Sequence, residues 1–204
     1  MSELKTALEK RFGAHRVSEY PQQDGDYIDL LKIDIEKKFP LTILSTHGMS
    51  DYTMPVPERY KGREHNEIFF CIPGYWELDN KENPNFNWPF EVIQKLARNV
   101  IEQKSWYGPG HTIANGNPTK EISETMKQEY FLMADPIFLE DYFPPLQVGD
   151  RMVYFLAIIP LFHKEFERKM HKGYPKWIKK FRARNGNEIL DDYRQSIYKS
   201  RWKR

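Results

Sequence analysis

Histidine is the first residue type to test for chemistry, because six are present in a chain of 204 residues. They are His15, His47, His65, His111, His163 and His171. Zinc sites usually contain close pairs such as H-E-x-x-H or C-x-x-C, and neither pattern occurs here. His163 and His171 are eight residues apart, too far to share one ion without other ligands. A fold could still bring His47, His111 and Glu165 together, although histidines more often act as structural hydrogen-bonding groups.

Serine and cysteine show no pattern of nucleophilic catalysis. Ser45 and Ser50 flank His47-Gly48 but lack the G-x-S-x-G sequence that raises a nucleophile above an α/β-hydrolase sheet. We expect their hydroxyl groups to hydrogen-bond the turn around Gly48. Cys71 lies in an apolar run, which predicts a small buried hydrophobe, and as the single cysteine it excludes an internal disulfide. We therefore predict no enzyme activity, no cofactor and no metal.

A glycine-rich loop at residues 108–112, Gly-Pro-Gly-His-Thr, resembles a phosphate-binding loop at first sight. The Walker A loop requires G-x-x-x-x-G-K-[ST], in which a lysine reaches the phosphates, and this lysine is missing. The loop instead predicts a turn that places His111 and Thr112 at the start of a strand. Glu165, at the start of a predicted helix, is expected to accept a hydrogen bond from His111 or Thr112 as a structural tie.

Composition predicts one folded and highly charged protein. Aromatic residues make up 15% of the sequence, whereas disordered chains contain few of them. No apolar run reaches the roughly 18 to 20 residues that cross a bilayer. The best candidate, residues 152–161, contains Pro160 and predicts a buried strand. The charged amino terminus lacks the apolar region of a secretory signal, so we expect a cytoplasmic protein without membrane contact.

Charge is unevenly spread, although the net charge is only +2. From residue 176 onward, ten Lys or Arg stand against three Asp or Glu, which is +7 locally and leaves −5 for the rest. An acidic body could meet a basic protein partner such as a nuclease. The basic carboxyl-terminal part could touch nucleic acid, but a solvated surface explains its charges as well. We expect no nucleic-acid partner.

Apolar periodicity predicts a single α+β domain over residues 1–204, with a mixed, mainly antiparallel sheet flanked by helices. The run at residues 67–72 is apolar enough to be a central strand. Predicted strands lie at residues 16–20, 27–35, 41–45, 67–72, 112–114, 130–134 and 152–159.

Five helices are predicted from capping residues and apolar spacing. The last of them makes residues 181–204 a basic helical extension. The helices run from Ser2 to Gly13, from Pro89 to before Trp106, from Pro160 to Gly173, around Trp177, and over residues 189–202.

Three long connections are the candidate contact surfaces, because loops longer than about 12 residues are usually functional or mobile. They span residues 49–66, residues 73–88, and residues 104–111 with 115–125. Simple packing over the sheet would also explain the aromatic side chains that they contain. The candidate partner-binding residues are Tyr52, Tyr60, Tyr75, Trp76 and Phe86.

Three separated blocks of sequence together resemble the Suppressor of fused domain, over residues 39–180. The first block is Leu-Ser-Thr-His-Gly-Met-Ser-Asp at residues 44–51, the second runs from Trp-Pro at residues 88–89 to residue 112, and the third is Ile-Pro-Leu at residues 159–161 with Glu165. We call their prominent members the landmark residues and expect them to hold the fold together. They are Ser45, Thr46, Gly48, Met49, Trp88, Pro89, Trp106, Gly110, His111, Thr112, Pro160 and Glu165.

The resemblance implies a protein-binding function without catalysis. Animal members of the family hold Gli transcription factors, whereas bacterial single-domain members, which this sequence resembles, are associated with polymorphic toxin systems. The first hypothesis is therefore an immunity protein that neutralises a cognate toxin domain, for example a nuclease, by direct binding. The alternatives are a regulatory scaffold that captures an extended peptide at a sheet edge, and an uncharacterised hydrolase built on His47, His111 and Glu165.

Overall fold

The computed structural model describes residues 2–21, 25–78, 80 and 83–198. Its strands are β1 (Val17–Glu19), β2 (Asp29–Glu36), β3 (Pro40–His47), β4 (His65–Pro73), β5 (Thr112–Ala114), β6 (Tyr130–Ala134), β7 (Leu146–Val148) and β8 (Arg151–Leu161). Its helices are α1 (Glu3–Phe12), α2 (Pro84–Glu102), α3 (His163–Lys172) and α4 (Tyr174–Arg182). The strands form one sheet in the order β1-β2-β3-β4-β8-β6-β5, and β7 pairs with β8. The predicted mixed, mainly antiparallel α+β domain is confirmed.

Strand β4 is central because both of its faces are buried. Ile68, Phe70 and Ile72 point into one hydrophobic cluster, while Phe69 and Cys71 point into another on the opposite face. β4 runs antiparallel to β3 and parallel to β8, the one parallel pair of strands in the described part of the chain. The apolar run at residues 67–72 therefore predicted its position correctly.

Helices cover both faces of the sheet. Ile93 and Val100 of α2 pack into the cluster that contains Phe70. Leu8 of α1 packs on the opposite face, and Trp177 of α4 packs against β6 and β8. Each of these side chains is at most 1% exposed, and full burial of one contributes roughly 1.5–3 kcal/mol to folding. Across the described residues, no helix is both long and apolar enough to cross a membrane.

The second helix begins earlier than the sequence predicted. α2 starts at Pro84, after Asn83, whose side chain accepts a hydrogen bond from the Asn85 backbone N–H. Pro89 lies inside the helix and does not begin it. Proline is favoured at the first helical position, and the sequence offers Pro84 and Pro89 as two candidates, of which the capped one is used.

The final predicted helix is wrong over its described part, residues 189–198, and residues 199–202 lie outside the described chain. Ile189 instead forms a parallel bridge with Cys71 of β4, and the Leu190 N–H donates to the Cys71 carbonyl over 2.8 Å. Pairing between β4 and β8 ends at Phe69 and Ala157, although both strands continue. Residues 184–198, the carboxyl-terminal segment, thus join β4 beyond this point, and tertiary contacts override local helix propensity.

Candidate protein-binding site

The histidines of the proposed catalytic trio do not share a site with Glu165. The His47 ring hydrogen-bonds the Ser2 hydroxyl at the start of α1. The His111 Nδ1–H donates to the Trp106 carbonyl over 3.1 Å. No group of three His, Cys, Asp or Glu side chains that could hold a metal ion occurs in the described residues.

Glu165 anchors the carboxyl-terminal segment. Its carboxylate is 0% exposed and accepts hydrogen bonds from both terminal guanidinium nitrogens of Arg194, over 2.8 and 2.9 Å. The backbone N–H groups of Phe162 and Ile197 also donate to it. The expected hydrogen bond from His111 or Thr112 is therefore wrong. A bidentate, charge-assisted pair explains how a buried carboxylate is tolerated here.

Glu67, on β4, is a fully buried carboxyl group that the sequence did not single out. It accepts hydrogen bonds from the Gly48 and Ser50 N–H groups, over 3.1 and 3.0 Å, and from the Thr46 hydroxyl. Burial raises the pKa of Glu67 to about 7, against the lowering effect of these hydrogen bonds. Ser45 instead donates to the Thr46 carbonyl. Glu67 therefore organises the turn that follows β3.

Glu188 is a third buried carboxylate, with 1% exposure. It accepts hydrogen bonds from three consecutive backbone N–H groups, those of Ile137, Phe138 and Leu139. Three buried carboxylates thus each bind backbone N–H groups of a loop, which satisfies donors that strands and helices leave unpaired.

Most landmark residues lie inside the protein, where they contact other parts of the chain. The other five are half-buried. Cys71, which the sequence predicted to be a buried hydrophobe, is buried, and desolvation raises the pKa of its thiol. Their contacts are structural ones such as the Trp106–His111 ring contact, at 4.1 Å between centroids. The buried landmark residues are Ser45, Thr46, Met49, Trp88, Pro89, Pro160 and Glu165.

The five candidate partner-binding aromatics are not equally accessible. Trp76 is 5% exposed and packs edge-on against Phe86 and Trp88, so it is a core residue. Tyr52 and Tyr60 are half-buried, and their hydroxyl groups donate to the Ser105 and Pro109 carbonyls. Phe86 is half-buried as well. Tyr75 alone among the five is exposed, at 56%.

An open groove of about 700 Å³ surrounds Tyr75 at one end of the sheet. We call it the aromatic groove; it is lined by Phe39, Pro73, Tyr75 and most of residues 184–197. Phe39, Tyr75 and Tyr193 are 44%, 56% and 79% exposed, and they are three of the five exposed large hydrophobic side chains in the described chain. The sequence missed Phe39 and Tyr193, because the first lies in a short turn and the second lay in the predicted helix.

Carboxylates stand beside these rings. The Tyr75 hydroxyl donates to Asp192 over 2.9 Å, and the Tyr193 N–H donates to Asp191 over 2.9 Å. Burial, followed by the hydrogen bond to Asp192, raises the pKa of Tyr75, so its phenol stays protonated. Within the described residues, neither Asp191 nor Asp192 has a lysine or arginine nitrogen within 4.0 Å, and the guanidinium of Arg184 in the groove is also unpaired.

Comparison with solved structures gives the same fold. The crystal structure of Drosophila Suppressor of Fused matches with a TM-score of 0.60 and 18% identity over 84% of this chain. A chain of the Sufu-Fu complex crystal structure matches with a TM-score of 0.64 and 16% identity, covering 96% of this chain and 89% of that one. The match to the Drosophila protein covers 43% of that chain, less than half of its length.

Comparison of the sequence with curated proteins gives no match. The model of the family described as Suppressor of fused protein (SUFU) matches residues 24–195. This range is wider at both ends than the three blocks suggested, and it includes the carboxyl-terminal segment up to Gln195. The chain belongs to the Suppressor of fused family.

Proposed function

We propose that this chain is a non-enzymatic protein-binding domain that docks its partner on the aromatic groove. The observation that carries the proposal is the grouping of Phe39, Tyr75 and Tyr193 around one concave surface, with their rings exposed to solvent. Exposed aromatic side chains that converge on a groove are typical anchors of protein interfaces, where a few such residues supply most of the binding free energy.

The carboxylates beside the aromatic groove, which we call its acidic rim, indicate the chemistry of the partner. Asp191 and Asp192 lie next to Tyr193 and Tyr75, and neither is neutralised by a cation of the described chain. Arg184 adds one unpaired positive charge, so the carboxylates outnumber it by two to one. A partner that brings lysine or arginine side chains to this rim would gain both ion pairs and faster association.

The partner that we infer is a toxin domain, for example a nuclease, and the chain then acts as its immunity protein. Proteins that act on nucleic acids carry basic surfaces, because they must neutralise phosphates. An acidic rim with aromatic anchors would cover such a surface. A structure of a relative in the Sufu-Fu complex supports partner binding as a use of this fold.

The test is binding of the product of the neighbouring gene, measured by titration calorimetry after co-expression shows rescue of growth. Tyr193→Ala removes a ring that is 79% exposed, so the fold is left intact. We expect this change to weaken binding by about 2 kcal/mol, or roughly 30-fold, as for an interface anchor. Met170→Ala, which truncates a side chain 62% exposed but outside the groove, is the matched control.

Unchanged affinity of the Tyr193→Ala variant would exclude the groove as the docking site. Failure to protect cells from any neighbouring gene product would remove the immunity function. Binding of short extended peptides in place of a folded partner would identify the alternative, a peptide-capturing scaffold. That alternative has structural support, since β5 is an end strand of the sheet and, in the described part of the chain, pairs with β6 alone.

A further inference from the structure

A second concavity, of about 400 Å³, lies where β5 begins and α3 meets α4. Its walls are the short turn at residues 58–60, the loop before β5, the end of α3 and the start of α4. The pocket shares no lining residue with the aromatic groove, and the two sites are therefore separate. Its lining consists of Arg59, Tyr60, Pro109, Gly110, His111, Lys169, Met170, Gly173, Tyr174 and Pro175.

Among the described residues, Lys169 is a buried cation that has no carboxylate partner. The residue is only 8% exposed, and its Nζ donates a hydrogen bond to the Thr112 hydroxyl over 2.6 Å. In the described part of the chain, no carboxylate lies within 4.0 Å of this nitrogen, and no Asp or Glu lines the pocket. Burial lowers the pKa of Lys169. An ammonium group has three donors, so the nitrogen keeps capacity for a further acceptor.

Two more nitrogen-bearing side chains face the same space. His111 gives its Nδ1–H to the Trp106 carbonyl, which leaves Nε2 available to the pocket. Burial lowers the pKa of His111, and repulsion from Lys169 and Arg59 lowers it further, so both cations lie within electrostatic range of the imidazole. Arg59 has no carboxylate partner in the described chain.

A row of rings holds this wall in place. The Arg59 guanidinium lies 5.2 Å from the centroid of Tyr60, whose ring packs 5.0 Å from Trp106. Trp106 in turn packs 4.1 Å from the His111 ring. The position of His111 is therefore fixed by packing before any ligand arrives, which reduces the ordering cost of binding.

We propose that this pocket binds a phosphate monoester through Lys169 and Arg59. Lys169 and Arg59 carry two positive charges at neutral pH, and a phosphate monoester carries close to two negative ones. A carboxylate would neutralise only one of them. The pocket is larger than a phosphate group, so the substituent that carries the phosphate has room against Met170 and the Tyr174 ring.

The lysine absent from the glycine-rich loop is thus supplied by a different element. Residues 108–112 provide the backbone wall and His111, and α3 provides Lys169. This arrangement differs from a Walker A loop, in which the lysine directly follows the glycines. The inference goes beyond the protein-binding function and does not depend on it.

Titration calorimetry with inorganic phosphate, and then with O-phosphoserine, tests the proposal at constant ionic strength. Lys169→Met removes the buried cation, and Lys172→Met makes the same charge change at an exposed position of the same helix. We expect Lys169→Met to weaken binding by at least about tenfold, equivalent to ~1.4 kcal/mol, while Lys172→Met leaves it unchanged. Arg59→Gln, at an exposed position, provides a second variant that leaves the core untouched.

Absence of measurable binding of either compound by the unmodified protein overturns the proposal. Equal affinities of the Lys169→Met, Arg59→Gln and unmodified proteins overturn it as well, since binding would then occur elsewhere. Tighter binding of O-phosphoserine than of inorganic phosphate supports a monoester, and the reverse order contradicts that assignment. None of these results affects the Tyr193→Ala test of partner binding.

Discussion

Replacement of Glu67 by glutamine should change how stability depends on pH. The carboxyl group is fully buried, and its pKa of about 7 in the folded protein compares with an ordinary value of 4.5. Glutamine has the same shape and can accept from the Gly48 and Ser50 N–H groups through its oxygen. Its amide nitrogen can donate to the Thr46 hydroxyl, which then donates to the Ile68 carbonyl that already lies 3.3 Å away.

The sign of the effect follows from proton binding. A carboxyl group with a raised pKa binds its proton more tightly in the folded state than in the unfolded state. Its stabilising contribution is complete below pH 4.5 and is lost as the pH rises to about 7. At ~1.4 kcal/mol per pH unit, the loss amounts to about 3 kcal/mol, which for a chain of this size corresponds to roughly 6–12 °C in Tm.

Urea denaturation of both proteins between pH 4 and pH 8 measures this difference. The free energy of unfolding of the natural protein should fall relative to that of Glu67→Gln through this range, because the other titrating groups cancel in the comparison. Parallel curves for the two proteins would refute the reasoning. They would show that the hydrogen bonds from Thr46, Gly48 and Ser50 fully offset the cost of burying the charge.

Two further substitutions test the packing of the described chain. Arg194→Met should destabilise by about 3 kcal/mol, because it leaves the Glu165 carboxylate buried without its cation, and Glu165→Gln in the same protein should restore part of the loss in urea denaturation. Gly110→Ala should cost more stability than Gly62→Ala. Both glycines have positive φ, near +96° and +89°, but an added Cβ at Gly110 would lie 2.9 Å from the Tyr174 ring, whereas Gly62 has nothing within 4 Å. Equal losses of Tm would show that backbone strain alone decides both cases.

Most strands could be predicted from the sequence, because their apolar residues either alternate or form continuous runs; β7 was not predicted. Thr112–Ala114 and Tyr130–Ala134 have the predicted bounds, and β4 has the predicted central place. The boundary at Pro160 was misplaced: the strand was predicted to end at residue 159, with a helix from Pro160, but β8 runs through Pro160 to Leu161 and α3 begins at His163. The spacing of apolar residues along a strand is a local property of the sequence, so it predicts the strand without knowledge of the rest of the fold.

Contacts between distant residues could not be predicted in the same way. Nothing near Glu67 in the sequence indicates that it receives hydrogen bonds from a turn 19 residues earlier. Residues 189–198 have helical spacing, yet their partners are Cys71 and Glu165. The candidate groove likewise depends on Phe39 and Tyr193, which are 154 positions apart in the sequence.

The insertion of residues 184–198 beside β4 also determines when the protein can finish folding. Strand β4 is synthesised before the residues that complete it. The Cys71 carbonyl accepts its hydrogen bond from Leu190, and the Glu165 carboxylate accepts from Arg194, so neither bond can form until those donors have been made. Contacts across such long stretches of chain form slowly, and the nascent sheet stays incomplete until residues 184–198 have left the ribosome. Because Tyr193 belongs to this late segment, the aromatic groove is assembled only once the fold itself is finished.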